Sequence, residues 1–313
     1  MSFRQTQLPT RQLTGITWEI DSTSEFYPEP FRNLDDPPSK LFGIGNIESM
    51  QEGLAIIGAR KATPYGTSCA KHFGRLAAMS NVVVISGGAL GCDAASQLAC
   101  LEAGGKTISF IGSGYKNYYP RRHFDLFQKI INSGGAVVSE NPPEFQALPY
   151  THRARNRLIA SLAKATLIVE AGVPSGTFST ADSALQANRE VLVIPGAITS
   201  ELSKGCNRLI YQGATPIIDD ESFFDQMAGL FGSLKQTELS DEIMVKVEVG
   251  EKDEHLLRAI TAQKMSLDEL LKIANSLVGE AEALGWLMVW LTDMVSKGVV
   301  AQYPDGRYGP AVR

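Results

Sequence analysis

The sequence predicts an α/β protein: a doubly wound, mostly parallel sheet with helices on both faces, followed by a small winged-helix domain. Three observations predict it. From Leu54 onward, short β-branched apolar runs alternate with longer segments of helical period, the pattern of strands buried on both faces and joined by crossover helices. Glycine-rich turns sit directly after the first three runs, where such a sheet presents its carboxyl ends and binds ligands. The C-terminal stretch reads as three helices and a hairpin.

Residues 1–50 are Pro-rich, as in Tyr27-Pro28-Glu29-Pro30 and Asp35-Asp36-Pro37-Pro38, and hold only short strand-like pieces such as Ile16-Thr17-Trp18. They are expected to form an irregular extension packed on the next domain. Residues 51–228 hold the expected sheet, with strands at 54–57, 82–85, 107–111, 136–138, 166–169, 191–194 and 216–218. Helical patterns lie near 66–79, 91–103, 120–133, 154–163, 178–188 and 204–212. The acidic, weakly periodic stretch 229–252 reads as a linker. In 253–313, helices are expected near 254–262, from Ser266 with Leu267, Leu270 and Leu271 facing inward, and near 280–297. Trp286 and Trp290 stand four apart on the last of these, the spacing of a core-facing stripe. Residues 299–302, the turn Pro304-Asp305-Gly306 and Arg307-Tyr308 form the expected hairpin.

Composition narrows the function. Hydrophobic residues make up 44% and charged residues 20% of the chain, values typical of a soluble globular protein. The longest apolar runs are far too short to cross a bilayer, and Met1-Ser2-Phe3-Arg4 leads into no apolar leader segment, so a cytoplasmic protein without membrane contact is expected. Cys69, Cys92, Cys100 and Cys206 form no Cys-x-x-Cys pair, so reduced thiols and no metal are expected. No cofactor is expected either.

Charge is distributed unevenly. Residues 53–181 carry thirteen Lys/Arg against six Asp/Glu, a net +7 in a chain whose total is −5, so the rest carries −12. No acid occurs in 53–92 or 145–169. The same block contains the glycine turns, and cations beside turns that expose backbone N–H groups suit a polyanionic phosphate ligand.

Four segments carry that chemistry. Gly58-Ala59-Arg60-Lys61 joins the first strand of the sheet to a helix with Thr63 as its N-cap and Pro64 in its first turn, and its two cations stand where free N–H groups favour an anion. It lacks the Gly-x-Gly-x-x-Gly fingerprint and the Gly-Lys-Ser/Thr ending of a phosphate-binding loop. Ser86-Gly87-Gly88 follows the second strand, with Asp93 at the next helix start. Arg153, Arg155, Asn156 and Arg157 open a helix; Arg153 and Arg157 are four apart and so share a face, although structural pairing is an equal reading for Arg157. Ser175-Gly176-Thr177 precedes a further helix. Tyr65, Tyr150 and Phe178 are the aromatic residues expected to stack an unpaired base, and His152 reads as a surface histidine.

Together these segments resemble the DNA-processing protein A family (DprA, also called Smf). The ordered set is Tyr27-Pro28, Asp36-Pro37-Pro38, Ile56-Ile57-Gly58-Ala59-Arg60, the run from Ser86 to Asp93, Arg155-Asn156-Arg157-Leu158-Ile159-Ala160, Ser175-Gly176-Thr177, Ile194-Pro195-Gly196 and the run from Gly205 to Ile210. The resemblance implies a Rossmann-like domain that binds single-stranded DNA, forms homodimers and helps load the RecA recombinase during natural transformation, without enzymatic activity. It places DNA at Gly58-Ala59-Arg60 and at Arg155-Asn156-Arg157. The chain departs from the family pattern at Ala59, where Ser is usual, at Leu90, where Arg is common, and at His152-Arg153, where Phe-Pro is usual. A second resemblance, to nucleotide phosphoribohydrolases, rests on similar glycine turns and implies a nucleotide-binding enzyme or sensor. Those enzymes carry Pro-Gly-Gly-x-Gly-Thr before a catalytic acid; here the segment reads Val173-Pro174-Ser175-Gly176-Thr177-Phe178, and the next acid is Asp182.

Overall fold

The structure, a computed structural model, describes residues 11–173, 176–232, 251–262, 265–296, 299–303 and 306–310. The chain forms two compact units, Met1–Leu239 and Ser240–Arg313. In the first, the elements run β1 (Thr17–Asp21), α1 (Glu29–Arg32), β2 (Lys40–Gly45), β3 (Gly53–Ile57), α2 (Pro64–Met79), β4 (Val84–Ser86), α3 (Cys92–Glu102), β5 (Thr107–Phe110), α4 (Phe124–Asn132), β6 (Ala136–Ser139), α5 (Thr151–Ala154), α6 (Asn156–Leu162), β7 (Ala163–Ile168), α7 (Thr177–Gln186), β8 (Glu190–Val193), α8 (Lys204–Tyr211), β9 (Thr215–Pro216) and α9 (Asp220–Phe231).

One nine-stranded sheet has the order β1-β2-β6-β5-β4-β3-β7-β8-β9. Strands from β6 through β9 in that order pair in parallel, while β1–β2 and β2–β6 are antiparallel. The chain winds outward from β3 through β4, β5 and β6, then returns to β7 and winds the other way. That reversal puts a crevice at the carboxyl ends of β3 and β7. Alternate residues of one strand feed the two faces: Ala55 and Ile57 belong to one core cluster with Phe31, Phe110 and Leu158, Leu54 and Ile56 to the other with Phe73, Phe223 and Met227. Continuous apolar strands follow from that two-sided burial, and the expected doubly wound, mostly parallel sheet is the one found.

The N-terminal extension is less irregular than expected. β1 and β2 enlarge the sheet and cover the β6 edge. β2 escapes a propensity reading because Lys40-Leu41-Phe42-Gly43-Ile44-Gly45 contains two glycines. At Gly43 the absence of a side chain is a packing requirement, since a Cβ there would lie 2.1 Å from the Trp18 indole. The same indole Nε1 donates to the Gly45 carbonyl at 3.2 Å. Tyr27 Oη donates to the Pro38 carbonyl at 2.7 Å, and Phe31, fully buried, meets Tyr27 and Phe110 edge-on with centroids 6.1 and 6.0 Å away.

Helix α9 was hidden in an acidic stretch. Asp219 and Ser222 form a capping box at its start, and Phe223, Phe224 and Met227 are buried beneath it. It runs to Phe231, beyond the expected boundary at 228, so the expected linker 229–252 begins inside a helix. At its other end Glu251 and Lys252 are helical too, and 233–250 lie outside the described residues.

The second unit contains α10 (Glu251–Ala262), α11 (Leu267–Val278), α12 (Glu280–Ser296), β10 (Val300–Gln302) and β11 (Tyr308–Pro310). Ser266 and Glu269 cap α11 reciprocally, and Met265 bridges Tyr308 through two backbone hydrogen bonds of 2.8 and 2.7 Å. Leu256, Ile260, Leu270, Leu287, Trp290 and Leu291 form a separate core. Of the two tryptophans expected inside, Trp290 is buried and Trp286 only half-buried.

A fragment 51–232, close to the domain boundaries read from sequence, lacks the strands that cover β6. Losing the burial of Phe31, Leu41 and Ile44 removes on the order of 6 kcal/mol. Thermal unfolding should therefore place 51–232 at least ~10 °C below 11–232; equal melting temperatures would show that the first two strands are dispensable.

Candidate nucleic-acid interface

A cleft of about 710 Å³ opens at the carboxyl edge of the sheet, over the reversal between β3 and β7. Its walls are the turn Gly58-Ala59-Arg60, Ala89 and Asp93 at the start of α3, Tyr119, residues 147–149, the segment containing His152, Arg153, Arg155 and Asn156, and the start of α7 at Gly176, Thr177 and Thr180.

The turn after β3 is held by a buried carboxylate. Glu170, 1% exposed just beyond β7, accepts hydrogen bonds from Thr63 N at 2.9 Å and from Thr63 Oγ1. Thr63 caps α2 by accepting from Gly66 N at 3.1 Å, as its place before Pro64 predicts. A Cβ on Gly66 would lie 2.2 Å from Glu170 Oε2, so the brace requires glycine there. Arg60 follows this turn, exposed, at the rim. Lys61 is exposed as well but outside the cleft walls.

The arginines divide by environment. Arg153 is exposed on the cleft wall. Arg155 is 5% exposed; its Nη1 donates to the Phe110 carbonyl, and its guanidinium fills the space where Gly87 would carry a side chain. Its Nε has no hydrogen-bond partner. Burial lowers its pKa to about 10, opposed by the charge of Asp93, so it is a cation at neutral pH in the cleft floor. Burial raises the Asp93 carboxyl, opposed first by the Arg155 charge, and that carboxylate accepts from Gly87 N at 3.1 Å and Ala89 N at 3.4 Å. Asp93 thus shapes the Ser86-Gly87-Gly88 turn.

Two expectations are corrected here. Arg157 is absent from the cleft walls: it makes a bidentate pair with Glu140 at 2.9 and 2.6 Å and donates through Nε to the Asp36 carbonyl at 3.1 Å. The structural reading of Arg157 is the one found, because an acid on the neighbouring strand end claims its fork. The Ser86-Gly87-Gly88 turn lies beneath Arg155 and Asp93, with Ser86 fully buried and its Oγ donating to the Ile56 carbonyl at 2.6 Å. Its hydroxyl is therefore used inside the sheet. Gly176 and Thr177 line the cleft at the N-terminus of α7, Asn156 Nδ2 donates to Ser179 Oγ at 3.2 Å, and Ser175 lies outside the described residues.

The aromatic groups also differ from expectation. His152 is half-buried, with its ring 5.5 Å from that of Tyr119. Burial lowers its pKa to about 4, assisted by Arg155 and Arg60, so the ring is neutral at pH 7. Tyr119, 51% exposed, was missed; the signal for it is Tyr118-Tyr119-Pro120 following the glycine turn Gly112-Ser113-Gly114 after β5. Tyr65 lies elsewhere, its hydroxyl donating to the Pro195 carbonyl at 2.8 Å, Tyr150 is exposed but outside the cleft walls, and Phe178 lines a different cleft with Leu185 and Arg208. Among the described residues, no cluster of three or more His, Cys, Asp or Glu is placed to hold a metal, and no helix is long and apolar enough to cross a membrane.

The family described as DNA recombination-mediator protein A matches residues 19–228. Protein Smf of Escherichia coli (strain K12) is 36% identical over 209 residues, covering 66% of this chain and 56% of that protein. DNA processing protein DprA of Bacillus subtilis (strain 168) is 32% identical over 210 residues, covering 66% of this chain and 70% of the relative. The chain thus matches little more than half the length of the first of these relatives. The crystal structure of DNA processing protein A from Streptococcus pneumoniae superimposes with a TM-score of 0.61 at 33% identity, over 65% of this chain and 72% of that one. The structure of DNA processing protein A from Helicobacter pylori, described for its single-stranded DNA binding mode, gives 0.62 at 28% identity, over 69% of this chain and 97% of that one.

The environment of His152 sets a pH signature. Its folded pKa lies below the unfolded value, so its contribution to stability is present above about pH 6.5 and lost as pH falls towards about 4. A proton NMR titration should find this imidazole titrating near pH 4, and addition of a phosphate-bearing oligonucleotide should raise that value. A titration centred near 6.5 would place the ring in solvent rather than in the cleft.

Proposed function

The chain belongs to the DNA recombination-mediator protein A family, and we propose that it is a non-enzymatic binder of single-stranded DNA that delivers the strand to the RecA recombinase in recombination and DNA uptake. The carrying observation is the cleft itself. It combines exposed Arg60 and Arg153 at the rim, a buried cation at Arg155, the N-terminal turn of α7 and a pair of aromatic rings.

In this reading Arg60 and Arg153 contact phosphates, with Lys61 adding field from outside the walls, because neutralising phosphates releases condensed counterions. The amides at Gly176 and Thr177, with Ser175 before them, receive a further anion at the helix N-terminus. Gly58 and Ala59 let the strand approach the backbone, and Ala59 does so without the hydroxyl usual in the family. Asn156 offers a hydrogen bond, and Tyr119 with neutral His152 stacks an unpaired base. The single-stranded DNA binding mode described for the Helicobacter pylori protein supports single strands as the ligand; RecA delivery and homodimer formation are carried over from the family resemblance. The non-enzymatic reading is supported by the cleft's carboxylate content. Among its described lining residues Asp93 is the one acid, and its oxygen is held by two backbone amides. Release of ribose 5-phosphate from a nucleoside monophosphate would instead assign an enzyme of the phosphoribohydrolase type.

The second unit, read as a winged helix, is proposed not to take part in DNA binding. Residues 253–313 carry six Lys/Arg and eight Asp/Glu, so phosphates gain little from it.

Binding of a single-stranded oligonucleotide across a salt series tests the site. Arg60→Ala and Arg153→Ala should each weaken binding and lower the salt slope by ~0.7 per lost phosphate contact, whereas Arg157→Ala should reduce thermal stability with the slope retained. Wild-type affinity and slope in both rim variants would move the site elsewhere. Removing 253–313 should change affinity by less than about threefold; a tenfold loss in a folded remainder would bring the second unit into the DNA site.

A further inference from the structure

Helix α12 carries two apolar seams. One, through Ala283, Leu287, Trp290, Leu291 and Met294, is buried and builds the core of the second unit. The other runs through Ala281, Gly285, Met288, Thr292 and Val295, all of them exposed. Leu284 and Val289 flank it, 54% and 72% exposed. The steps along this outer seam alternate between four residues and three, the spacing of a coiled-coil contact line. Gly285 and Leu287 stand two residues apart, about 200° around the helix, so the outer seam faces away from the core.

A surface helix normally turns charges to water, and one that is apolar all round is normally covered. Between Ala283 and Val295 the one charged residue is Asp293, half-buried. Thr292 makes no demand on solvent either, since its Oγ1 donates to the Met288 carbonyl at 2.7 Å. This face can be covered without stranding a polar side chain.

We propose that the outer seam of α12 is a self-association surface on which α12 of a second copy packs antiparallel, about a two-fold axis at Met288. The seam complements itself in that arrangement. Ala281 of one copy comes opposite Val295 of the other, and Gly285 opposite Thr292, so a short side chain meets a branched one at every step outside the axis. The ends favour one orientation in charge. Glu280 and Glu282 open the helix, so antiparallel packing keeps these acids of the two copies at opposite ends, whereas parallel packing brings them together. The helix dipoles agree with the same choice. Nucleic acid and anionic lipid do not fit this face, because Glu280–Ser296 contains no Lys or Arg. From Ala281 to Val295 the seam is about 21 Å long, and one helix pair covers less than the ~800 Å² per partner of a standard interface, so the association is weak and concentration-dependent. It is independent of the DNA-binding reading, which rests on the first unit.

The test uses the full chain carrying Met288→Cys, oxidised mildly over a range of protein concentrations. A residue on the axis meets its own copy, so a disulfide-linked dimer should form and increase with concentration. Thr292→Cys and the wild type should form none, because the two copies of residue 292 stand ~12 Å apart along the helices, beyond the ~7 Å Cα separation that a disulfide spans. Met288→Glu, on an exposed site that keeps the fold, should lower the weight-average mass at high concentration in sedimentation equilibrium. Met288→Cys that cross-links no more than the controls would overturn the proposal. So would an internal disulfide to Cys69 in a monomer, which would assign the face to the same chain, or a Met288→Glu mass profile identical to wild type. A dimer held through the first unit alone would leave Cys at 288 uncross-linked.

Discussion

The hydrogen bonds between Glu170 and Thr63 hold the cleft in shape. The carboxylate lies just past β7, the threonine caps α2, and the turn that runs from β3 into that cap carries Arg60. A buried carboxylate is costly unless it is hydrogen-bonded, and here it accepts from a backbone amide and a hydroxyl at the positive end of a sixteen-residue helix. The two strands at the topological reversal are already joined there by Val169 N donating to the Ile57 carbonyl at 3.0 Å, and the carboxylate adds a side-chain tie from the end of β7 to the helix that follows β3. Gly66 is part of the same device, since any side chain there would displace the carboxylate.

The electrostatics of the cleft build on that frame in two layers. Asp93 and Arg155 are buried in the floor, and the pairing of opposite charges offsets part of the desolvation each suffers. Arg60 and Arg153 lie above them, exposed and adaptable. The buried layer shapes the glycine turn after β4; the exposed layer supplies the charge that a ligand meets first. His152 stays neutral because burial, and after it the charges of Arg155 and Arg60, disfavour the protonated ring.

The sheet was legible because both its faces are buried, which writes strands as short apolar runs, and the glycine turns marked its carboxyl edge. β2 was not legible: Gly43 answers to the Trp18 ring, 25 residues away in the chain, and Gly45 to the Gly135 carbonyl, farther still. Nor was α9, whose capping acids resemble a solvated tail. Within the Arg-Asn-Arg segment, sequence spacing states how far each side chain reaches but not what it meets. Glu140 and Asp36 take Arg157, Phe110 takes Arg155, and none of these partners is a neighbour in sequence. Ser86 looked available because it follows a strand, yet its acceptor is the Ile56 carbonyl of the strand beside it.

The place of β2 bears on how the chain is assembled during synthesis. β2 pairs with β6 through Phe42 opposite Ser139, so the antiparallel pair of β1 and β2 leaves the ribosome well before the strand it docks on. Until then it presents an open strand edge, the feature most prone to pairing with other chains. Trp18 folded over Gly43 and the charged pair of Lys40 with Glu19 at 2.6 Å lie within the two strands themselves, so they can form and blunt that edge before the rest of the sheet exists.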